Sequence, residues 1–345
     1  MSVPAHALLF LLSASVIWLL SGILIDATDS VARRFNKPGF AVAFFVLGFL
    51  TSIGEISVAA NATIGNVPQV SAGNLMGASL VIILLIIPVL AIIGNGIPMT
   101  RALRPSTVVL LLGVILLPAL LSLDGSVTAS EGILICLLYA ALVFRIRKKQ
   151  PTEETAAAAL QQTKEQLLHA RRGTVMDVGK IVIGALLIFL AGNILVDESV
   201  FFARLLSIPL SFMGLLVLSI GTNVPELVIA VRCVLGRHKD IAFGDYMGSA
   251  AANTLIFGLL PVAGGTFAIE ASEVWLTFGI FAVGLVLFFL FARTKEILSR
   301  REGIVLLLLY VLFMAFQITN AVRLSDPSSL QGAAPDAVTA AWAGQ

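Results

Sequence analysis

TSIGEISVAANATIGNVPQVSAGNLMGAS, residues 51–79, and TNVPELVIAVRCVLGRHKDIAFGDYMGSA, residues 222–250, align in register without a gap. Thr51 meets Thr222, Glu55 meets Glu226, Ala59 meets Ala230, Gly65 meets Gly236, Gly73 meets Gly244, Met76 meets Met247 and Gly77 meets Gly248. Apolar segments match one another by composition alone, so paired Leu or Val would carry little weight. Paired Thr, Glu and Gly carry more, and they mark an internal repeat. Each copy also sets a glutamate inside a long apolar segment, and Glu226 directly follows Pro225. A charge in hydrocarbon is costly unless something pairs with it, which makes both glutamates candidate functional residues.

Outward from the repeat, the chain is that of an integral membrane protein. Of 345 residues, 58% are hydrophobic and 12% charged, against roughly 25% charged in soluble domains; the mean hydropathy is +1.01. Spans are expected near 5–25, 39–63, 72–94, 106–123, 130–146, 177–196, 208–234, 241–263, 273–292 and 303–320, each close to the ~20 residues that cross a bilayer. The hydrophilic stretch RIRKKQPTEETAAAALQQTKEQLLHARRG divides them five and five, and its Ala, Gln, Lys and Glu content suggests a short helix after Pro151. The expected fold class is therefore an all-α polytopic membrane protein of about ten transmembrane helices in two inverted five-helix repeats. The first repeat would occupy 1–147, the connector 148–176, the second repeat 177–322 and a disordered tail 323–345.

Lys and Arg set the orientation, because positive residues are retained in cytoplasmic loops. Arg33, Arg34 and Lys37 follow span 1; Arg101 and Arg104 follow span 3; Arg145, Arg147, Lys148 and Lys149 follow span 5; Arg232, Arg237 and Lys239 follow span 7; Arg293, Lys295, Arg300 and Arg301 follow span 9. The opposite loops carry Asp124 and Glu131, then Asp197 and Glu198 with Arg204, then Glu270 and Glu273, while the loop after span 2 is uncharged. Both termini are expected outside a plasma (inner) membrane. Span 1 lacks a positive n-region before it and is followed by Arg33 and Arg34, which reads as an anchor and not a cleaved signal. An odd number of spans separates the copies, so they insert in opposite directions. Inverted repeats with interrupted helices and a midplane site are a transporter architecture.

Other classes lose support. There is no basic face with interleaved aromatics for nucleic acid, no aspartate-rich Mg²⁺ motif, no intramembrane histidine base and no HExxH pattern, so the chain is not expected to be an enzyme. Cys136 and Cys233 read as packing residues, and His6, His169 and His238 as solvated or interfacial.

The two segments resemble the alpha-1 and alpha-2 repeats of the cation/calcium exchanger superfamily, the sodium/calcium exchangers and their relatives. Those repeats read approximately G-T-S-x-P-E, a glycine, then G-N-x-x-G-S-N. Here the alpha-2 motif, 219–253, keeps GTNVPE and has GDYMGSA, and the alpha-1 motif, 48–82, has TSIGE and GNLMGAS. The five-plus-five pattern and the central loop also match, so the resemblance covers nearly the whole chain. It implies a secondary active antiporter that exchanges a divalent cation, Ca²⁺ above all, for Na⁺ or H⁺ by alternating access; the polar residues missing from span 3 leave Mn²⁺ or Mg²⁺ in place of Ca²⁺ as an alternative. No cofactor is implied, and the partners are inorganic cations and the lipid bilayer. A cation channel and a non-transporting scaffold are the rival readings.

The residue chemistry agrees. Glu55 and Glu226 each stand about 16 residues into a span, roughly 24 Å along a helix crossing ~30 Å of hydrocarbon. Gly48, Thr51, Ser52, Glu55, Ala59 and Ala62 share one helical line, as do Ser219, Thr222, Asn223, Glu226, Ala230 and Cys233. Pro225 and Gly54 should loosen the two helices at equivalent places. Freed carbonyls, the Thr51 and Thr222 hydroxyls, Ser52, Asn223 and two carboxylates make an oxygen cluster suited to a hard cation; Ca²⁺ takes about 6 to 8 such ligands. Span 8 adds Asp245, Ser249 and Asn253 at four-residue spacing, where span 3 has Asn74, Ala78 and Ile82. In the resembled family these helices supply further ligands, so the apolar Ala78 and Ile82 imply fewer counter-ion sites. A buried carboxylate that sheds its proton when a cation arrives would serve both ions in turn, which keeps Ca²⁺/H⁺ exchange beside Ca²⁺/Na⁺ exchange. Asp245 has two readings, attraction of cations to the inner mouth and helix capping.

Overall fold

The structure is a computed structural model that describes residues 2–33, 44, 48–98, 105–147, 155–206, 208, 210–223, 226–227, 239–295 and 297–325. Its long helices are α1 (Val3–Arg33), α4 (Pro68–Val81), α6 (Pro105–Leu121), α7 (Ala129–Arg147), α8 (Thr155–Leu206), α11 (Lys239–Gly264), α12 (Ala271–Lys295) and α13 (Arg300–Ser325). Helix α4 runs through a π-turn, Ile82–Ile86, into α5 (Ile87–Ile93). Among the described residues, eight helices are long and apolar enough to cross a membrane. The two remaining spans are the ones that carry the glutamates, and both are interrupted. One is built of α2 (Gly48–Thr51) and α3 (Ile53–Ile64), the other of α9 (Leu210–Met213), a π-turn (Gly214–Leu218) and α10 (Ser219–Thr222). Parts of the expected spans 39–63 and 208–234, Pro225 and Cys233 among them, lie outside the described residues, as do Ala230, Gly236, His238 and the tail from 326.

The expected short connector helix is instead the first part of α8, which is 52 residues long and continues unbroken through the sixth span. Ala, Gln, Lys, Glu and Leu are strong helix formers, and isolated Gly173 and Gly179 cost only about 1 kcal/mol each, too little to end a helix. The same continuity carries Asp197, Glu198 and Arg204 inside a helix and not in a loop.

Two short ladders mark the faces of the molecule. β1 (Ile97–Pro98) pairs antiparallel with β4 (Ile297–Leu298), and β2 (Ser126–Val127) with β3 (Phe267–Ala268). The β1–β4 ladder joins the loops after spans 3 and 9, and the β2–β3 ladder those after spans 4 and 8, so each ties one repeat to the other.

The main apolar core runs through α4, α5, α6, α11, α12 and α13, with Leu80, Ile83, Ile115, Phe257, Phe281 and Phe313 fully enclosed. A smaller cluster, Ile17, Val58, Ala62, Val70, Ile188, Ala191 and Leu195, seats α1 and α8 against α3. Hydrocarbon gives apolar helices little reason to associate, so close backbone approach and hydrogen bonds matter more here than in water. A Cβ added at Gly48 would stand 2.6 Å from the Gly248 carbonyl carbon, and one at Gly77 would stand 2.7 Å from the Ser219 side chain. The helix bearing each glycine-rich motif thus packs on the broken helix of the other repeat. Polar ties reinforce the second cluster: Ser57 Oγ donates to the Ile188 carbonyl at 3.0 Å and Asn61 Nδ2 to the Phe189 carbonyl at 3.1 Å.

His6 is not simply interfacial. Its Nδ1 lies 2.7 Å from Glu198 Oε2, and its ring stacks on Phe201 with centroids 3.7 Å apart. Because α8 continues past its expected end, it presents Glu198 and Phe201 to the start of α1.

Candidate functional site

Both broken helices stop at the same register position. Ser52, between α2 and α3, has φ −77° and ψ 10°; Asn223, after α10, has φ −93° and ψ 7°. Each side chain turns back to the carbonyl four residues earlier: Ser52 Oγ donates to Gly48 O at 2.8 Å and Asn223 Nδ2 to Ser219 O at 2.7 Å. Such side-chain bonds compete with the helix ladder and explain why the interruption falls here. Sequence reasoning placed the weak points at Gly54 and Pro225. Gly54 instead leaves room for helix α1, since a Cβ there would stand 3.2 Å from Ile17 Cγ2. Pro225 lies outside the described residues.

The interruptions deliver Glu55 and Glu226 to the interior, each 1% exposed. They cross over to the other repeat for their partners. Glu55 accepts from Asn223 Nδ2 at 3.5 Å and lies beside the Thr222 hydroxyl, while Glu226 lies beside the Thr51 hydroxyl. Thr51 Oγ1 also pairs with Ser249 Oγ at 2.6 Å, and Thr222 Oγ1 donates to Asn74 Oδ1 at 3.3 Å. Glu226 lies close enough to feel the charge of both Glu55 and Asp245. Seven of the nine residues singled out from the sequence, Thr51, Ser52, Glu55, Thr222, Asn223, Glu226 and Ser249, therefore gather in one buried set, and Asp245 joins them by its nearness to Glu226 and not by a hydrogen bond. Asn253, also 1% exposed, shares a helix line with Asp245 and Ser249 but has no hydrogen bond to the other eight.

Asn74 is the residue that sequence reasoning passed over. It was grouped with Ala78 and Ile82 as an eroded line, yet it is fully enclosed and bonded to Thr222. Its place in GNLMGAS, opposite Asp245, was the available signal.

The electrostatic character of this set is one-sided. Among the described residues, the buried side-chain atoms without a hydrogen-bond partner include six pure acceptor oxygens: Glu55 Oε2, Asn223 Oδ1, Glu226 Oε2, both Oδ atoms of Asp245 and Asn253 Oδ1. Among the described residues, Asn74 Nδ2 is the one unpartnered nitrogen donor in that set, and no Lys, Arg or His is buried. Nor do the described residues hold a group of three or more His, Cys, Asp or Glu close enough to grip a metal by themselves. Any bound cation must draw on hydroxyl, amide and backbone oxygens as well as carboxylates.

Comparison with known proteins places this arrangement. The sodium/calcium exchanger protein family matches residues 5–147 and 177–319, and the chain belongs to that family of membrane cation antiporters, which are transporters and not enzymes. It is 28% identical over 241 residues to the inner membrane protein YrbG of Escherichia coli, covering 69% of this chain and 73% of that protein. It is 33% identical over 145 residues, 41% of each chain, to the sodium/calcium exchanger MaX1 of Methanosarcina acetivorans. Structures of the sodium-calcium exchanger NCX_Mj share the fold, one of them with a TM-score of 0.65 at 21% identity, covering 91% of this chain and 99% of that one.

Proposed function

We propose that this antiporter exchanges Ca²⁺ for Na⁺ or H⁺ across the inner membrane, with both termini outside and the basic loops in the cytoplasm. Glu55 and Glu226 bind the divalent ion, with Thr51, Thr222, Ser52, Asn223, Ser249 and Asn253 supplying further oxygens and Asp245 standing on the approach to them. The single observation that carries this reading is the excess of unpartnered acceptor oxygens among the described buried residues, none of which is a Lys, Arg or His. Buried acceptors normally find donors, and buried carboxylates left unpaired are strongly unfavourable. A hard cation suits such oxygens, since oxygen is the ligand it takes. The names of MaX1 and NCX_Mj, both sodium/calcium exchangers, point the same way. Ala78 and Ile82, enclosed and apolar where the second repeat has Ser249 and Asn253, favour a small number of counter-ion sites.

The test is uptake of radioactive calcium into proteoliposomes under an imposed sodium or pH gradient. Saturable uptake driven by one gradient, and its loss in both Glu55→Gln and Glu226→Gln, is the expected result. Full activity in either variant would refute the site, and flux that neither saturates nor needs a counter-ion would identify a channel.

A further inference from the structure

The two repeats align in register but differ in charge. In register, Asn74 of α4 stands where Asp245 stands in α11. Helix α4 leads through α5 towards β1, whereas α11 leads towards β3. Since the β1–β4 and β2–β3 ladders lie on opposite faces, the amide stands near the start of its helix on one face and the carboxylate near the start of its helix on the other. The carboxylate belongs to the face of the basic loops.

Asp245 is fully enclosed, and neither of its oxygens has a partner among the described residues. It is not a helix cap, because α11 begins at Lys239. One helical turn further, about 6 Å on at ~1.5 Å per residue, Ser249 pairs with Thr51, whose hydroxyl in turn lies beside Glu226. Asp245 therefore heads a line of oxygens that enters the site from the basic face. On the other face Asn74 is neutral, and its Oδ1 already accepts from Thr222.

We propose that Asp245 makes the two mouths unequal: a divalent cation arriving from the basic-loop face meets a third carboxylate, and one arriving from the opposite face meets an amide. The inference rests on the reading of Glu55 and Glu226 as the divalent site, and it adds sidedness to that reading. A perfectly symmetric inverted repeat would present equal fields to the two sides. Among the buried described residues of the two repeats, Asp245 opposite Asn74 breaks that equality, giving tighter binding from the basic face.

The experiment measures the half-saturating Ca²⁺ concentration separately on each face, in oriented vesicles and proteoliposomes, and takes their ratio. In the unmodified protein the basic face saturates first, with a ratio of roughly tenfold, the effect of about 1.4 kcal/mol of extra attraction. Asp245→Asn brings the ratio towards one, Asp245→Glu keeps it, Asn74→Asp lowers the half-saturating concentration at the opposite face, and the exchange of both residues inverts the ratio. A ratio unchanged by Asp245→Asn, or equal shifts at both faces, overturns the inference. If Asp245→Asn does not fold, Asn74→Asp decides alone, since an unmoved value at the opposite face is equally fatal. Absence of saturable Ca²⁺ uptake in the unmodified protein would remove the functional reading itself, a result distinct from the loss of sidedness.

Discussion

Replacing Gly48 by alanine tests whether the site depends on backbone contact between the repeats. The added Cβ would stand 2.6 Å from the Gly248 carbonyl carbon and 2.7 Å from the Ser249 nitrogen. Carbon atoms rest at about 3.5–4.0 Å, so α2 and α11 must part by about 1 Å. Overpacking of that kind costs about 1–3 kcal/mol. The same movement stretches the 2.6 Å Thr51–Ser249 contact beyond the usual range for paired hydroxyls, about 2.5–3.0 Å. Thermal unfolding of the purified protein, with and without Ca²⁺, should show a lower midpoint and a smaller Ca²⁺-induced rise. Gly113→Ala is the control, because nothing lies within 4 Å of its new methyl group, and it should be neutral or slightly stabilising. Equal behaviour of the two variants would refute the claim that the repeats meet backbone to backbone at Gly48.

Other outcomes follow from the same structure. Ca²⁺ should raise the unfolding midpoint in proportion to the logarithm of its concentration, reaching about 2.7 kcal/mol at a hundredfold excess over Kd, and Glu226→Gln should abolish the rise; a rise that survives would place the ion elsewhere. Ser57→Ala removes bonds from Ser57 Oγ to the Ile188 and Phe189 carbonyls and should cost about 1 kcal/mol, measured by chemical unfolding, with non-additivity when combined with Asn61→Ala. His6→Ala strands the 7%-exposed Glu198 and should destabilise by about 1–3 kcal/mol. Glu198→Gln, whose amide still bonds the ring, should be milder in the same unfolding measurement.

The repeat, the two glutamates and the membrane class were legible because each is a one-dimensional pattern. Glu55 and Glu226 recur at fixed register, and apolar runs of span length are countable. The helix interruption at Ser52 and Asn223 was not legible, because it depends on a side chain turning back to the carbonyl at 48 or 219 in preference to solvent or a neighbouring helix. Asn74 escaped for a related reason. Its partner is Thr222, 148 residues away, and only the cross-repeat packing at Gly77 and Gly214 brings those helices together. His6 and Glu198 were assigned to separate surface segments, since nothing local announces that α8 runs on to Leu206. The Ala- and Glu-rich connector was read correctly as helix-forming; what local propensity omits is a stop signal, and none is present between Thr155 and the sixth span.

The paired strands have a mechanical consequence. Ile97–Pro98 with Ile297–Leu298, and Ser126–Val127 with Phe267–Ala268, stitch the halves together at both ends. A seesaw of one half against the other would have to tear one seam on every stroke. Helices α1 and α8 carry neither seam, and they rest on a separate small cluster whose polar fastenings include Ser57 and Asn61. Displacement of that outer pair past the stitched body would leave both seams paired.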